Sequence, residues 1–188
     1  MGGRFPRFNL YLNFCILALI KTTMRKSDKS IHNICIAKIK RSTMKPYDFK
    51  WTTFYENDSK ALFQNFPFEL SDDELIICST IIDSNNFSIL TTRKLITNED
   101  GILSFGSLIN AKNLLYGEFK SKNEDFTFGK VELENGEFLK YFIEIGKASM
   151  IMVQGVKTSI DIQQSTEAQV EKVADIWNNK INRPLNDD

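Results

Sequence analysis

The stretch "NNFSILTTRKLITNEDG", residues 85–101, decides how this chain is organised. A strand-like run ends in two threonines and a basic pair, a second apolar run follows, and an acidic turn with a glycine closes the unit. "FSILTT" and "KLIT" therefore predict two strand pieces or one bent strand. Gly101 is free to adopt a positive φ in the closing turn. We interpret the stretch as the bend between two early strands, around which the sheet is organised.

The residues before this stretch predict further β structure. "ELIICSTII", residues 74–82, is nearly all apolar and β-branched, which is typical of a central strand covered on both faces. Aromatic residues alternate in "KPYDFKWTTFY", residues 45–55, and predict a first strand. Between them, "NDSKALFQNF", residues 57–66, predicts a short helix. Its expected inner face consists of Leu62, Phe63 and Phe66.

The clearest β signal is "FTFGKVELENGEFLKYFIEI", residues 126–145. Asn135-Gly136 favours a two-residue type I′ hairpin turn. A strict two-residue loop would place Glu134 opposite Glu137, and like charges at opposed positions are unfavourable. We expect a longer loop, or a bulge near Gly129, to remove this conflict.

The last third of the chain predicts helices and one more strand. Residues 110–116 favour a helical turn that ends at Gly117, and the apolar run at residues 148–160 favours a strand. Thr166 and Gln169 form a capping box that predicts the start of a terminal helix. The apolar stripe of that helix is Val170, Val173, Ala174, Trp177 and Ile181.

Together these elements predict an α+β fold. Its body is a strand-rich curved sheet or a partly open barrel, and a C-terminal amphipathic helix lies across one opening with Trp177 as a plug. The order of the elements and the words "FSILTTRKLIT" resemble bacterial pleckstrin-homology-like (PH-like) domains. The early-strand pattern of that family is matched here by Leu90, Thr91, Arg93, Leu95 and Ile96. Lys94 is an insertion into that pattern. The resemblance implies a non-catalytic domain used for protein contacts or membrane-proximal scaffolding.

Charge divides the chain unevenly. Residues 1–43 carry nine lysines and arginines against one acid, and residues 44–188 carry 15 against 23, so the net charges are +8 and −8. We predict a basic extension at 1–43, a single acidic domain at 44–184 and a tail at 185–188. The acidic body argues against nucleic acid and anionic membranes as direct partners.

Three interpretations of the extension stay open. It is a translated upstream segment with the true start at Met24 or Met44, a membrane anchor through residues 8–20, or a folded part of the domain. The apolar stretch at 8–20 has 13 residues, which is too few to span a bilayer of about 30 Å at about 1.5 Å per residue.

The chain contains few thiol and imidazole side chains. The chain has three cysteines, Cys15, Cys35 and Cys78, and His32 as its one histidine, without the spacing of a zinc site. We expect no metal and no cofactor, and we expect a reducing, cytoplasmic setting, with membrane attachment only if residues 8–20 act as an anchor.

Two sets of residues are candidates for partner binding. Arg93 and Lys94 lie at a strand end, where they suit an anionic group, although a solvated hairpin is the simpler explanation. The acidic cluster Asp72, Asp73 and Glu74 precedes the central strand and suits a basic partner, or merely solvates a turn.

Three hypotheses for function follow. The first is a non-enzymatic protein-binding domain of a bacterial cytoplasmic protein. The second is an immunity protein that neutralises a basic toxin, for example a nuclease, through its acidic surface. The third is a metal-dependent hydrolase built on carboxylate and lysine pairs. Those pairs are Lys130 with Glu132 and Glu134, and Glu144 with Lys147.

Overall fold

The structure is a computed structural model that describes residues 26–120 and 124–181, with side chains described as far as Ser165. The chain divides into two compact units, one formed by Ser27–Gln163 and the other by Met1–Lys26 with Gln164–Asp188. Both sheets belong to the unit Ser27–Gln163. The predicted tail at 185–188 and most of the predicted basic extension lie outside the described residues.

The described residues form two α-helices, one before and one after the strands, and two antiparallel sheets. In chain order they are α1 (Asp28–Ser42), β1 (Thr52–Phe54), β2 (Ile76–Ile81), β3 (Phe87–Thr91), β4 (Leu95–Glu99), β5 (Ile102–Gly106), β6 (Ala111–Leu115), β7 (Phe126–Leu133), β8 (Phe138–Glu144) and α2 (Ser149–Ile181). The larger sheet has the order β1-β2-β3-β4-β5, and the smaller sheet has the order β6-β7-β8. The α+β prediction is confirmed, and the strands form two sheets that do not close into a barrel.

The stretch 85–101 forms β3, β4 and the turns around them. The amide of Thr91 donates to the carbonyl of Lys94 at 2.9 Å, so the two threonines and the basic pair make a tight turn. Asp100 and Gly101 then adopt φ values of 52° and 82° in the turn between β4 and β5. The predicted bend between two early strands is confirmed, and so is the positive φ of Gly101. The predicted central strand is also confirmed as β2, which lies between β1 and β3 and is buried over most of its length.

The hairpin of β7 and β8 has a three-residue loop. The amide of Leu133 donates to the carbonyl of Glu137 at 2.9 Å, and Gly136 takes a φ of 82° inside the loop. Glu134 therefore does not face Glu137, and the expected longer loop is confirmed. This register also places Gly129 directly opposite Tyr141.

Three predictions in this part of the chain differ from the structure, one in the kind of element and two in extent. The segment at residues 110–116 contains strand β6 (Ala111–Leu115) instead of a helical turn, because Leu114 pairs with the buried Val131 of β7 and reaches the core. The expected helix at 57–66 shrinks to a 3-10 turn at Lys60–Phe63, in which Leu62 is 67% exposed. The first strand is limited to Thr52–Phe54.

The run at residues 148–160 is helical and not a strand. It opens α2, which continues through Thr166, so the capping box there does not begin a helix. Ile151, Met152 and Val156 are each 0% exposed. A short apolar run has the same sequence pattern in a buried helix and in a core strand, so the pattern alone does not distinguish them. The predicted stripe from Val170 to Ile181 lies outside the side chains that the structure describes.

Helix α1 corrects the expected domain boundary at residues 43 and 44. Its N-cap, Ser27, accepts a hydrogen bond from the amide of Ser30 at 3.3 Å. One face is buried in the main core through Ile31, Cys35, Ile36 and Ile39. These residues follow helical spacing, so the compact unit begins at Ser27 although its first helix is basic.

A row of hydroxyl side chains runs straight across the larger sheet. Its members are directly opposite one another on successive strands: Thr52, Thr80, Ser88, Thr97 and Ser104. The hydroxyls of Thr52 and Thr80 lie 2.9 Å apart, and those of Ser88 and Thr97 lie 2.8 Å apart. Because these side chains are small and paired, another strand can lie close to this face without leaving polar groups unsatisfied.

That strand is β8, which joins the two sheets through alternate residues. The Lys140 ammonium lies 2.5 Å from a Glu99 carboxylate oxygen of β4. The amide of Phe142 donates to the Ser88 hydroxyl at 2.9 Å.

Glu144 completes this seam at the end of β8. Its Oε1 accepts the amide of Lys50 and its Oε2 accepts the amide of Trp51, each at 3.1 Å. Glu144 is only 9% exposed. Its two hydrogen bonds fix the segment that leads into β1.

Within the described residues, no helix combines the length and the apolar character that a membrane crossing requires. The apolar stretch at 8–20 lies outside those residues.

Candidate functional site

Arg93 belongs to an ion pair inside the fold. Its Nη2 lies 2.8 Å from Oδ2 of Asp28, and its Nε lies 3.2 Å from both carboxylate oxygens. The Thr92 hydroxyl donates to the same carboxylate. Hydrogen bonding to Asp28 raises the pKa of Arg93. This arrangement fastens the start of α1 to the turn between β3 and β4.

Lys94 and Glu74 form a second, more buried pair beside it. Glu74 is 1% exposed and accepts hydrogen bonds from the Thr91 hydroxyl at 2.5 Å and the Ser71 amide at 3.2 Å. The Lys94 ammonium lies 3.8 Å from the Glu74 carboxylate and donates to the carbonyl of Glu69 at 2.9 Å. Both residues hold the segment before β2 against the sheet.

The predicted site residues thus divide into two groups. Arg93, Lys94 and Glu74 come together, but their charges are used within the fold. Asp72 and Asp73 stay exposed on the surface, where the backbone carbonyl of Asp72 accepts the Lys60 ammonium. A role of any of these five residues in partner binding stays a prediction.

The carboxylate and lysine pairs of the hydrolase hypothesis do not share one place. Glu144 holds two backbone amides, as described above. Glu132 lies 3.7 Å from Lys112 across the smaller sheet. Within the described residues, no three His, Cys, Asp or Glu side chains are grouped so that they hold a metal ion.

The most open part of the larger sheet is the outer edge of β5. In the register of the two-residue turn at Asp100 and Gly101, Glu99 and Ile102 exchange backbone hydrogen bonds. Backbone groups alternate in direction along an antiparallel strand, so the amides and carbonyls of Leu103 and Phe105 point away from β4. In the part of the chain that the structure describes, β5 pairs with β4 alone.

Large apolar side chains flank this edge. Ile102 is 75% exposed on one face of the sheet and Phe105 is 63% exposed on the other. The strand reads "ILSFG" and contains neither a charge nor a proline. Natural edge strands usually carry such residues, since they prevent pairing with another chain. The nearest cation above Phe105 is Lys94, at 5.7 Å from the ring centroid.

The outer face of the smaller sheet is aromatic but better covered. Phe142 is 2% exposed and packs on Phe128, with ring centroids 4.6 Å apart. The ammonium of Lys140 lies 3.7 Å from the Phe128 centroid, and that of Lys50 lies 4.0 Å from the Trp51 ring. These lysines shield the rings within the chain itself, so β5 is the stronger candidate for a binding site.

The sequence pattern did not single out β5. Residues 102–106 have neither strict alternation nor a continuous apolar run, and Gly106 lowers the strand signal. Two features do point to it: the strand follows a turn with a positive-φ glycine, and it lacks charge. We call the outward backbone groups of Leu103 and Phe105, with the side chains of Ile102 and Phe105, the β5 edge.

Comparison with protein-family models, with curated proteins and with solved structures gave no match for this chain. The resemblance to PH-like domains therefore stays a prediction from the sequence, based on the order of the elements and on the residues quoted from β3, β4 and the turn between them.

Proposed function

We propose that this protein is a non-catalytic protein-binding domain that receives an extended segment of a polypeptide at the β5 edge. The observation that carries the proposal is a strand edge that no described residue pairs with and that has exposed apolar side chains on both of its faces.

The chemistry of the edge selects the kind of ligand. The outward groups of Leu103 and Phe105 are two donors and two acceptors with the spacing of a β ladder. An extended backbone offers the complementary groups at that spacing, which is the basis of strand addition. Ile102 and Phe105 would be covered by side chains at alternate positions of the incoming segment, and their burial supplies the hydrophobic part of the affinity.

The immunity hypothesis depends on an acidic surface, and the folded unit is less acidic than residues 44–188 taken alone. The unit Ser27–Gln163 contains 16 lysines and arginines and 19 acids, a net charge of −3. Helix α1 brings four of those cations into the unit. A basic toxin would therefore be only weakly attracted to this unit as a whole.

The proposal keeps the protein in a reducing compartment. Cys35 and Cys78 are both free thiols inside the core. Reduced cysteines are usual in cytoplasmic proteins, and this supports the cytoplasmic setting expected from the sequence.

A short peptide that alternates valine and threonine tests strand addition. We expect the backbone amide signals of Leu103 and Phe105 to shift saturably in NMR titrations, with weak affinity because the peptide loses conformational freedom on binding. The signals of β1, at the opposite edge, serve as an internal reference.

The matched control is the same peptide with an N-methyl group on every residue, which removes the backbone donors on both edges and keeps every side chain. We expect this peptide to leave Leu103 and Phe105 unshifted. Equal binding of the two peptides, or shifts confined to the aromatic face of the smaller sheet around Phe128, would contradict the proposed function.

A further inference from the structure

We propose that the segment received at the β5 edge is β5 of a second copy of this chain, in an antiparallel pairing about a two-fold axis. This inference rests on the proposed function, and it names the partner. The two larger sheets would then form one continuous ten-stranded sheet, since each has five strands and β5 is the last.

The outward backbone groups fix the register of this pairing. Leu103 of one copy must face Phe105 of the other, because only these residues direct their amides and carbonyls outward. The pairing makes four backbone hydrogen bonds and satisfies every outward group of the β5 edge. It also places Ser104 opposite its own equivalent at the two-fold axis.

The side chains of β5 are self-complementary in this register. Ile102 lies opposite Gly106 of the second copy, where the Leu139 side chain of that copy fills the space beside the glycine, so Ile102 would meet an apolar neighbour. On the other face, Phe105 lies beside Leu103 of the second copy, and both are apolar. At the axis, two serines face each other in the closely spaced type of antiparallel pair, which small side chains fit.

Charges near the edge do not oppose the pairing. The strand itself is uncharged, and the exposed Asp100 precedes it, so an antiparallel pairing would place the Asp100 residues of the two copies at opposite ends of the contact. Glu99 of β4 is bonded to Lys140, and Lys94 lies beside Glu74. Two copies therefore approach without bringing unpaired like charges together.

The size of the contact indicates a weak dimer. Phe and similar side chains bury about 150–250 Å² each, so Ile102 and Phe105 of two copies supply only part of the roughly 1,200–2,000 Å² of a standard interface. We expect a dimer that forms at high protein concentration and dissociates on dilution.

Cysteine placed at the axis tests the register. Ser104→Cys puts two thiols on α-carbons about 4.5 Å apart, within the usual range of about 4.4–6.8 Å for a disulfide. Cys15 is replaced by serine in every variant. Cys35 and Cys78 are 0% exposed, and burial raises the pKa of Cys35 to about 12, so neither native thiol competes. We expect mild oxidation to convert most of Ser104→Cys into a covalent dimer.

Ile102→Cys is the matched control on the same strand and face. Its α-carbon would lie about 14 Å from its equivalent in the second copy, four residues along the pair, so no symmetric disulfide forms. A monomeric Ser104→Cys chain, or equal dimerisation of both variants, would overturn the pairing.

Sedimentation equilibrium separates this inference from the proposed function. We expect the average mass of the unmodified chain to rise with concentration and that of Ser104→Lys to stay monomeric, because the pairing would bring two ammonium groups together. If the unmodified chain is monomeric at every concentration while the valine and threonine peptide still shifts Leu103 and Phe105, the second copy is not the partner and the strand-receiving function stands. If both results are negative, both proposals fail.

Discussion

Gly129→Ala is expected to destabilise the protein by at least about 3 kcal/mol, at the upper end of the usual range for added core volume. A β-carbon at this position of β7 would lie 2.2 Å from Cζ and 2.5 Å from Cε1 of the Tyr141 ring. Tyr141 is 0% exposed, so its ring has no free space to move into. The hairpin register requires a glycine there, since it stacks Tyr141 over the backbone of β7. Urea denaturation gives the change in the free energy of unfolding.

Gly106→Ala is the matched control for this prediction. Its β-carbon would meet the end of the Leu139 side chain at 2.8 Å, and a flexible side chain yields more readily than a buried ring. We expect a clearly smaller loss of stability. The double variant Gly129→Ala with Tyr141→Ala should lose less than the sum of the single variants, because removal of the ring relieves the clash. A Gly129→Ala protein within about 0.5 kcal/mol of the unmodified one would contradict the register of β7 and β8.

Glu144→Ala is expected to cost about 2–4 kcal/mol, because two hydrogen bonds to a charged acceptor are lost and the amides of Lys50 and Trp51 are left without it. The seam between the sheets would then open at the end of β8. Glu144→Gln keeps one carbonyl oxygen and should lose roughly half as much. The measurement is again urea denaturation, followed by hydrogen exchange at Lys50 and Trp51.

Glu137→Ala is the matched control, because Glu137 is exposed in the loop before β8. Its removal should change stability by less than about 0.5 kcal/mol. If Glu144→Ala is as stable as Glu137→Ala, the carboxylate of Glu144 does not join the sheets.

The sequence predicted those parts of the fold whose local signals are strong. The bend at Thr92 and Arg93, the turn at Gly101 and the buried strand β2 follow from turn chemistry and apolar runs, both of which act over a few residues. The hairpin of β7 and β8 was also predicted, and the conflict between Glu134 and Glu137 correctly indicated a longer loop. Local chemistry was sufficient in each of these cases.

Elements that depend on burial were not predicted. The run from Ala148 to Ile160 is buried at most of its positions, so its pattern does not separate a buried helix from a strand. Helix α1 was grouped with the basic extension because four cations masked its buried face of Ile31, Cys35, Ile36 and Ile39. The cations lie on the exposed face of this helix, and the helical spacing of its apolar residues identifies the buried face.

The candidate site was predicted least well, for a physical reason. Ionised residues are the usual candidates for a binding site in a sequence. Arg93, Lys94 and Glu74, however, form ion pairs within the fold. The β5 edge consists of backbone groups and uncharged side chains, and its openness depends on strand order. Strand order is a property of long-range pairing and cannot be read from residues 102–106 alone.

Residue-resolved hydrogen exchange at the β5 edge tests the central claim most directly. The account predicts that in dilute protein the amides of Leu103 and Phe105 exchange far faster than that of Ser104, which donates to β4. It also predicts that both become protected when the valine and threonine peptide is added. The account is contradicted if Leu103 and Phe105 are already as protected as Ser104 in the most dilute sample, or if they gain no protection from the added strand.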